Sequence, residues 1–243
     1  MRNKDRLKGW IAPGLSIAVL GLIILCPGVW GKLMQAVFPQ TTLYFYPGTS
    51  LLQLVKEHVW LVLASSLLSI TLGVGLGIYV TRPSGREYLQ AANDITAMGQ
   101  TFPPVAVIAL AVPLIGFGYR PTILALFLYG ILPVIKSTIA GVESVSADII
   151  EAAAGLGMSR WQVLSRVELP LALKVIMGGI RTSVIINIGT ATIGAAFGAG
   201  GLGAPIIAGL VRENPALILQ GAIPAALLAI IADMMLARIE LRV

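Results

Sequence analysis

Long apolar windows alternate along this chain with short stretches that collect most of its charge. Six windows reach the roughly 20 mostly apolar residues that a helix needs to cross a bilayer. They cover about residues 11–30, 59–80, 92–115, 121–142, 175–197 and 215–236. The pattern predicts an all-α integral membrane protein with six transmembrane helices.

Three windows carry a polar signature. In the third, Asn93, Asp94, Thr96, Gln100 and Thr101 precede Pro103 and Pro104. Proline removes a backbone donor and crowds the preceding turn, so this helix should kink or break there. Broken backbone at membrane depth is tolerated where it is buried in protein or lines a wet cavity. Gln100, Thr101, Pro103 and Pro104 are therefore candidate residues of a translocation path. In the fifth window Asn187, Thr190 and Gly194 form a polar and small stripe at helical spacing, which adds Asn187 and Thr190. Interhelical hydrogen bonding is an equal alternative for Gln100, Thr101 and Asn187. The second window's Ser65, Ser66, Ser69, Gly73, Gly75 and Gly77 are expected to serve close helix packing.

Composition agrees with a lipid-facing exterior. Hydrophobic residues make up 57% and charged residues 12%, and the mean hydropathy is +0.90; soluble domains sit near 45–50% and 25%. The net charge of +6 matters less than its placement. With a cytoplasmic N-terminus, the inner segments hold Arg2, Lys4, Arg6, Lys8, Arg82, Arg86, Lys136, Arg160, Arg166, Lys174, Arg238 and Arg242. The outer segments hold Lys32, Lys56, Arg120 and Arg212, and Arg181 falls inside the fifth window. Positive charge gathers on the cytoplasmic side of membrane proteins, so both termini and residues 143–174 are expected there. The same bias in alternate loops argues against a nucleic-acid patch. Cys26 is the single cysteine, which excludes a disulfide framework. The basic N-terminus resembles the start of a signal peptide, but its apolar run is too long, so it reads as a retained first span.

Residues 151–170, "EAAAGLGMSRWQVLSRVELP", break the apolar rhythm. Asp148 with Glu151 fits a reciprocal capping arrangement that would start a helix near Ile149. Gly157 can take the left-handed conformation that ends it. Ser159 with Gln162 repeats the capping pattern, and Pro170 is expected to stop the second helix. A cytoplasmic helix–turn–helix with a small alanine face follows, suited to a shallow cleft on another protein.

Glu151-Ala152-Ala153, then Gly157, Val167 and Leu169-Pro170, resembles the EAA loop of permease subunits of binding-protein-dependent ABC importers. That family has isoleucine where Val167 stands. Residues 99–118, 167–195 and 198–210 further resemble its osmoprotectant branch, permeases for glycine betaine, carnitine, choline or proline. The resemblance implies a type I importer fold like that of the methionine importer, in the bacterial cytoplasmic (inner) membrane. It implies that Glu151, Ala152, Ala153, Gly157, Leu169 and Pro170 couple the chain to an ATPase subunit. The implied partners are two ABC ATPase copies, a second permease subunit (identical or related) and an external substrate-binding protein. Residues 1–57 would form the tail, first helix and external loop, and 58–243 the permease core.

Gly198, Gly200 and Gly203 formally match a dinucleotide fingerprint, but a helix precedes them and the first acid, Glu213, comes too early. An external turn fits better. No G-x-x-x-x-G-K-[ST] occurs, so no cofactor is expected in this chain and ATP would be bound by the partner. His58, the single histidine, is expected at the outer interface beside Glu57, with no metal site. Asp94 and Asp233 are expected near solvated span ends. No nucleophile constellation supports a catalytic role. An ion-coupled transporter would call for inverted repeats and paired intramembrane carboxylates, which the sequence does not show. Another small solute, such as an amino acid, taurine or a phosphonate, is the nearer alternative.

Overall fold

The computed structural model describes residues 2–241, with side chains from residue 10 onward. The side chains of Arg2, Lys4, Arg6 and Lys8, and the whole of Arg242, lie outside the described residues. Helix α1 (Arg2–Leu25) meets α2 (Pro27–Val37) at a sharp corner. Then come α3 (Leu51–Val80), a short 3-10 turn, α4 (Leu89–Gly99), α5 (Pro104–Ile115) and α6 (Tyr119–Glu143). Helix α7 (Ala147–Gly155) precedes α8 (Arg160–Val163), which runs through a π-helical turn (Leu164–Glu168) into α9 (Leu169–Ala191). A 3-10 segment, α10 (Gly203–Val211) and α11 (Pro215–Glu240) complete the chain. Among the described residues there is no strand.

Four helices are long and apolar enough to cross a membrane: α3, α6, the continuous Arg160–Ala191 and α11. The bent pairs α1–α2, at 91°, and α4–α5, at 98°, raise the count to as many as six if each is one broken span. The break at Pro103–Pro104 was legible in the sequence. The first window is corrected: it ends at Leu25, because Cys26 leaves the helix and Pro27 starts the next one. Proline at a first helical position forfeits only a donor that had no partner anyway. The second helix also starts earlier than residue 59, since the Ser50 hydroxyl accepts from the Gln53 N–H at 3.2 Å and caps it.

Helices α3, α6 and α9 form the centre, with α4–α5 against α6, α11 against α9, and α1 and α10 against α11. Glycines set the spacing. A Cβ on Gly73 would lie 2.8 Å from Val134, and one on Gly77 2.5 Å from Thr138, so α3 and α6 touch backbone to side chain. Gly75 faces open space and takes no part. On α9, Gly179 lies against Ser137 and the Pro133 carbonyl, while Gly178 points away. Lipid tails are as apolar as leucine, so close packing of small residues, not apolar burial, holds such helices together.

These adjacent glycines make a controlled test. Gly179→Ala is expected to overpack the α6–α9 contact at a cost of about 1–3 kcal/mol, lowering Tm in detergent by several degrees. Gly178→Ala should leave Tm unchanged or slightly raised. Equal Tm values for the two variants would contradict the packing.

Candidate functional site

The polar segment emerges from the bundle as two short helices. Helix α7 starts at Ala147, with Ser146 as its N-cap and no side-chain cap hydrogen bond. The Asp148–Glu151 capping pair is therefore corrected. Both residues lie inside the helix, where Glu151 cannot reach back to an N-cap amide. The far end matches expectation: Gly157 has φ of +83°, the Met158 N–H donates to Ala153 O at 3.2 Å and the Gly157 N–H to Ala154 O at 2.9 Å. This pattern satisfies carbonyls left free at the helix end. Ser159 and Gln162 form the reciprocal capping box at 3.3 and 2.8 Å.

Pro170 does not stop the second helix, which is a further correction. The π turn over Leu164–Glu168 widens the backbone just where the proline ring would crowd the carbonyl four residues back, and the helix passes through to Ala191. Residues Arg160–Ala191 thus form one 32-residue rod with its tip in the polar segment. Glu151, Ala152 and Gly157 are exposed, Ala153 is buried, Leu169 is partly buried and Pro170 is exposed. Leu156 and Trp161 protrude beside them, 82% and 72% exposed.

A cleft of about 780 Å3 separates this segment from the α3–α4 connection, with Arg82, Arg86 and Arg160 on its walls. Across it Arg82 Nη1 lies 2.6 Å from Glu168 Oε2, an ion pair whose angle is not that of a hydrogen bond. Glu168 is 5% exposed and belongs to the π turn, so the pair ties the root of α9 to the residue just past α3. The sequence showed both charges but not their pairing across 86 positions.

The path candidates separate into two places. Gln100, Thr101 and Pro103 are exposed at the α4–α5 break, and Pro104 is half-buried there. Tyr129 on α6 donates to Gln100 O at 3.1 Å, and Thr101 Oγ1 donates to Met98 O at 2.7 Å. Asn187 lies fully enclosed between α3, α6 and α9 and does not join them. Its Nδ2 donates to Ser66 Oγ at 3.1 Å and Ser65 Oγ at 3.3 Å. Gly130 makes room for it, since a Cβ there would collide with Asn187, Ser69 and Ser183. Thr190 is half-buried one turn along.

Two other positions differ from expectation. His58 is fully buried, not interfacial, and its Nε2 pairs with Ile188 O at 3.0 Å. Because α3 begins at Leu51, His58 sits two turns inside it and faces α9. Asp233 is not merely solvated. Arg181 clasps it through Nε at 2.5 Å and Nη2 at 2.9 Å, and reaches Glu240 at 3.3 Å. A lone arginine inside an apolar window was the signal for such a partner. The glycine-rich stretch forms a turn with Gly198, Gly200 and Gly201 at positive φ, held where the Gly201 N–H donates to Glu57 Oε2 at 3.0 Å. Among the described residues no group of three metal-ligating side chains comes together.

A family model described as "Binding-protein-dependent transport system inner membrane component" matches residues 73–243. The chain belongs to that family. It is 38% identical over 224 residues, 92% of each chain, to the osmoprotectant import permease protein OsmY of Salmonella typhimurium. It is 40% identical over 196 residues, 81% of this chain and 89% of the other, to the glycine betaine/carnitine/choline transport system permease protein OpuCB of Bacillus subtilis. Its fold is that of the inward-facing MetNI methionine ABC transporter, with a TM-score of 0.69 at 21% identity over 78% of this chain and 94% of that one. The type I importer permease architecture is therefore this chain's fold.

The Arg82–Glu168 pair has a direct stability consequence. Arg82→Met would leave the Glu168 carboxylate buried without its cation, and is expected to cost about 3 kcal/mol. The double variant Arg82→Met/Glu168→Leu should recover most of that loss. Chemical unfolding in detergent measures both; additive losses in the double variant would show that the two side chains do not act as a pair.

Proposed function

We propose that this chain is the translocation subunit of an ATP-driven importer for a small osmoprotectant of the glycine betaine, carnitine and choline class. The observation that carries this reading is 38–40% identity to permeases of that class over 81% or more of the chain. In the proposed assembly, two permease subunits enclose the path. Two ABC ATPase subunits hold the ATP, and an external binding protein delivers solute. Both termini and the α7–α8 segment face the cytoplasm of a bacterial cell, in line with the basic inner segments.

In this reading α7 docks on the ATPase through the exposed Glu151 and Ala152, with Leu156 and Trp161 supplying apolar contact, while the buried Ala153 packs within the chain. The 82% and 72% exposure of those two large side chains supports a surface that a partner covers. Closure of the ATPases around ATP would draw the two α7 segments together. A rod continuous from Arg160 to Ala191 carries such a displacement into the membrane without a joint to absorb it, and the Arg82–Glu168 pair shares it with α3. Gln100, Thr101, Pro103, Pro104 and Thr190 are the proposed path residues that remain accessible. Asn187, being enclosed, instead holds α3 to α9.

Glu151→Lys and Gly157→Pro test the coupling. Proline cannot take the φ of +83° at Gly157, and lysine reverses the charge on the proposed docking face. Both variants are expected to insert into the membrane normally and to lose ATP-driven uptake of labelled glycine betaine in proteoliposomes carrying the ATPase and binding protein. Uptake at the parent rate in both variants would sink the docking role.

A further inference from the structure

Helix α2 leaves α1 at 91°, and its place on the bundle gives that angle a meaning. Helix α1 has 24 residues, about 36 Å at 1.5 Å each, which exceeds the ~30 Å hydrocarbon core without help from α2. It runs along α11, itself long enough to span. The buried Trp30 and Met34 of α2 pack on Ala216 in the first turn of α11, with Leu219 and Ile223 against them. That turn lies at the end of the bundle opposite α7, because α9 has crossed to it before α10 and α11 begin. Helix α2, 11 residues and about 16 Å long, therefore lies across the end of a span, at right angles to its neighbour α1.

Its position is held from both sides. Asn214 Nδ2 donates to Leu43 O at 2.8 Å, and the Tyr46 N–H donates to Gln220 Oε1 at 2.7 Å. The 38–50 loop is thus a strap that returns from the far end of α2 to α11. Phe45 rests its ring edge on Gly31, where a Cβ would come within 3.2 Å. Trp30, Phe45 and Tyr46 meet around a cavity of about 210 Å3 under this strap.

The protein covers only half of the apolar side of α2. Trp30 and Met34 are each 2% exposed, whereas Val29, Leu33 and Val37, beside them and spaced four apart, are 51%, 52% and 54% exposed. At 3.6 residues per turn the exposed Lys32 and Gln35 fall on the side away from Trp30 and Met34. Leu22 and Leu25, in the last turn of α1 before the corner, are also exposed, so the uncovered strip follows on an uncovered part of a span. An amphipathic helix of this kind rests in a membrane interface, with its apolar side about 5–10 Å deep at the acyl boundary.

We infer that α2 is an in-plane anchor, which rests Val29, Leu33 and Val37 on the acyl chains of the leaflet opposite α7 and holds Lys32 among the headgroups. Lipid is the occupant because the strip lies beside a span at the level of the bilayer edge, where acyl chains reach any surface that protein leaves open. Through the strap the anchor ties that end of α11 to the membrane surface. The inference is independent of which solute the chain carries.

Spin labelling of the permease–ATPase complex in nanodiscs of phosphatidylethanolamine and phosphatidylglycerol tests it. Cys26→Ser removes the native thiol and keeps a residue suited to the N-cap. Single labels then follow at Val29→Cys, Leu33→Cys and Val37→Cys for the strip, and at Lys32→Cys and Gln35→Cys for the far side. Leu15→Cys, on an exposed part of α1, and Gln40→Cys, on the exposed loop, supply lipid and water references. The readout is the ratio of collisions with oxygen, which concentrates among acyl chains, to collisions with a nickel chelate, which stays in water. The ratio is expected to be several-fold higher on the strip than at Lys32→Cys and Gln35→Cys, and to approach that of Leu15→Cys.

Equal ratios on the two sides, or strip values at the level of Gln40→Cys, would overturn the anchor. A strip that neither reagent reaches would assign this face to a second permease subunit. Nickel access that is lost only when the external binding protein is added would assign it to that protein. Either result overturns the lipid contact.

Discussion

Close contact between α3, α6 and α9 is the constraint on which the rest of the structure depends. In a bilayer no solvent drives apolar helices together, so their association rests on shape and on hydrogen bonds. Gly73 and Gly77 let α3 approach α6, and Gly179 lets α9 approach it from the other side. Ser65, Ser66 and Asn187 then bond α3 to α9 across the space that Gly130 leaves free. His58 adds a second tie at the neighbouring position of α9, to the Ile188 carbonyl. Three helices locked at several levels move as one body.

A rigid body is useful here because both of its outer helices are rooted beside the polar segment. Helix α9 runs into α8 without interruption, and α3 ends two residues before Arg82, whose partner Glu168 lies in the π turn. A proline in that stretch would ordinarily make a joint. The wider π turn accommodates it and keeps the rod continuous from Arg160 to Ala191. Peripheral elements have fewer ties. The α4–α5 pair packs mainly against α6, leaving the broken backbone at Gln100 and Thr101 exposed.

The apolar windows were legible because hydropathy over some twenty residues is a strong signal, and the break at Pro103–Pro104 because proline acts locally. The Ser159–Gln162 box and the Gly157 turn were legible for the same reason. What failed depended on partners distant in sequence. His58 looked interfacial because nothing near it reveals the Ile188 carbonyl 130 positions away. Asp233 looked solvated because Arg181 lies 52 positions off on another helix. Pro170 looked like a stop because a π turn has no composition of its own. Glu151, Ala152 and Ala153 stood out through their spacing, whereas the Arg82–Glu168 pair behind them left no pattern to read.

The N-terminal quarter was the least informative part of the sequence, and the structure explains why. Trp30, Phe45 and Tyr46 fall outside any periodic pattern: one lies on a short helix and two lie on a loop. They meet only because Cys26–Pro27 turns the chain through 91° and Gln220 holds the returning loop.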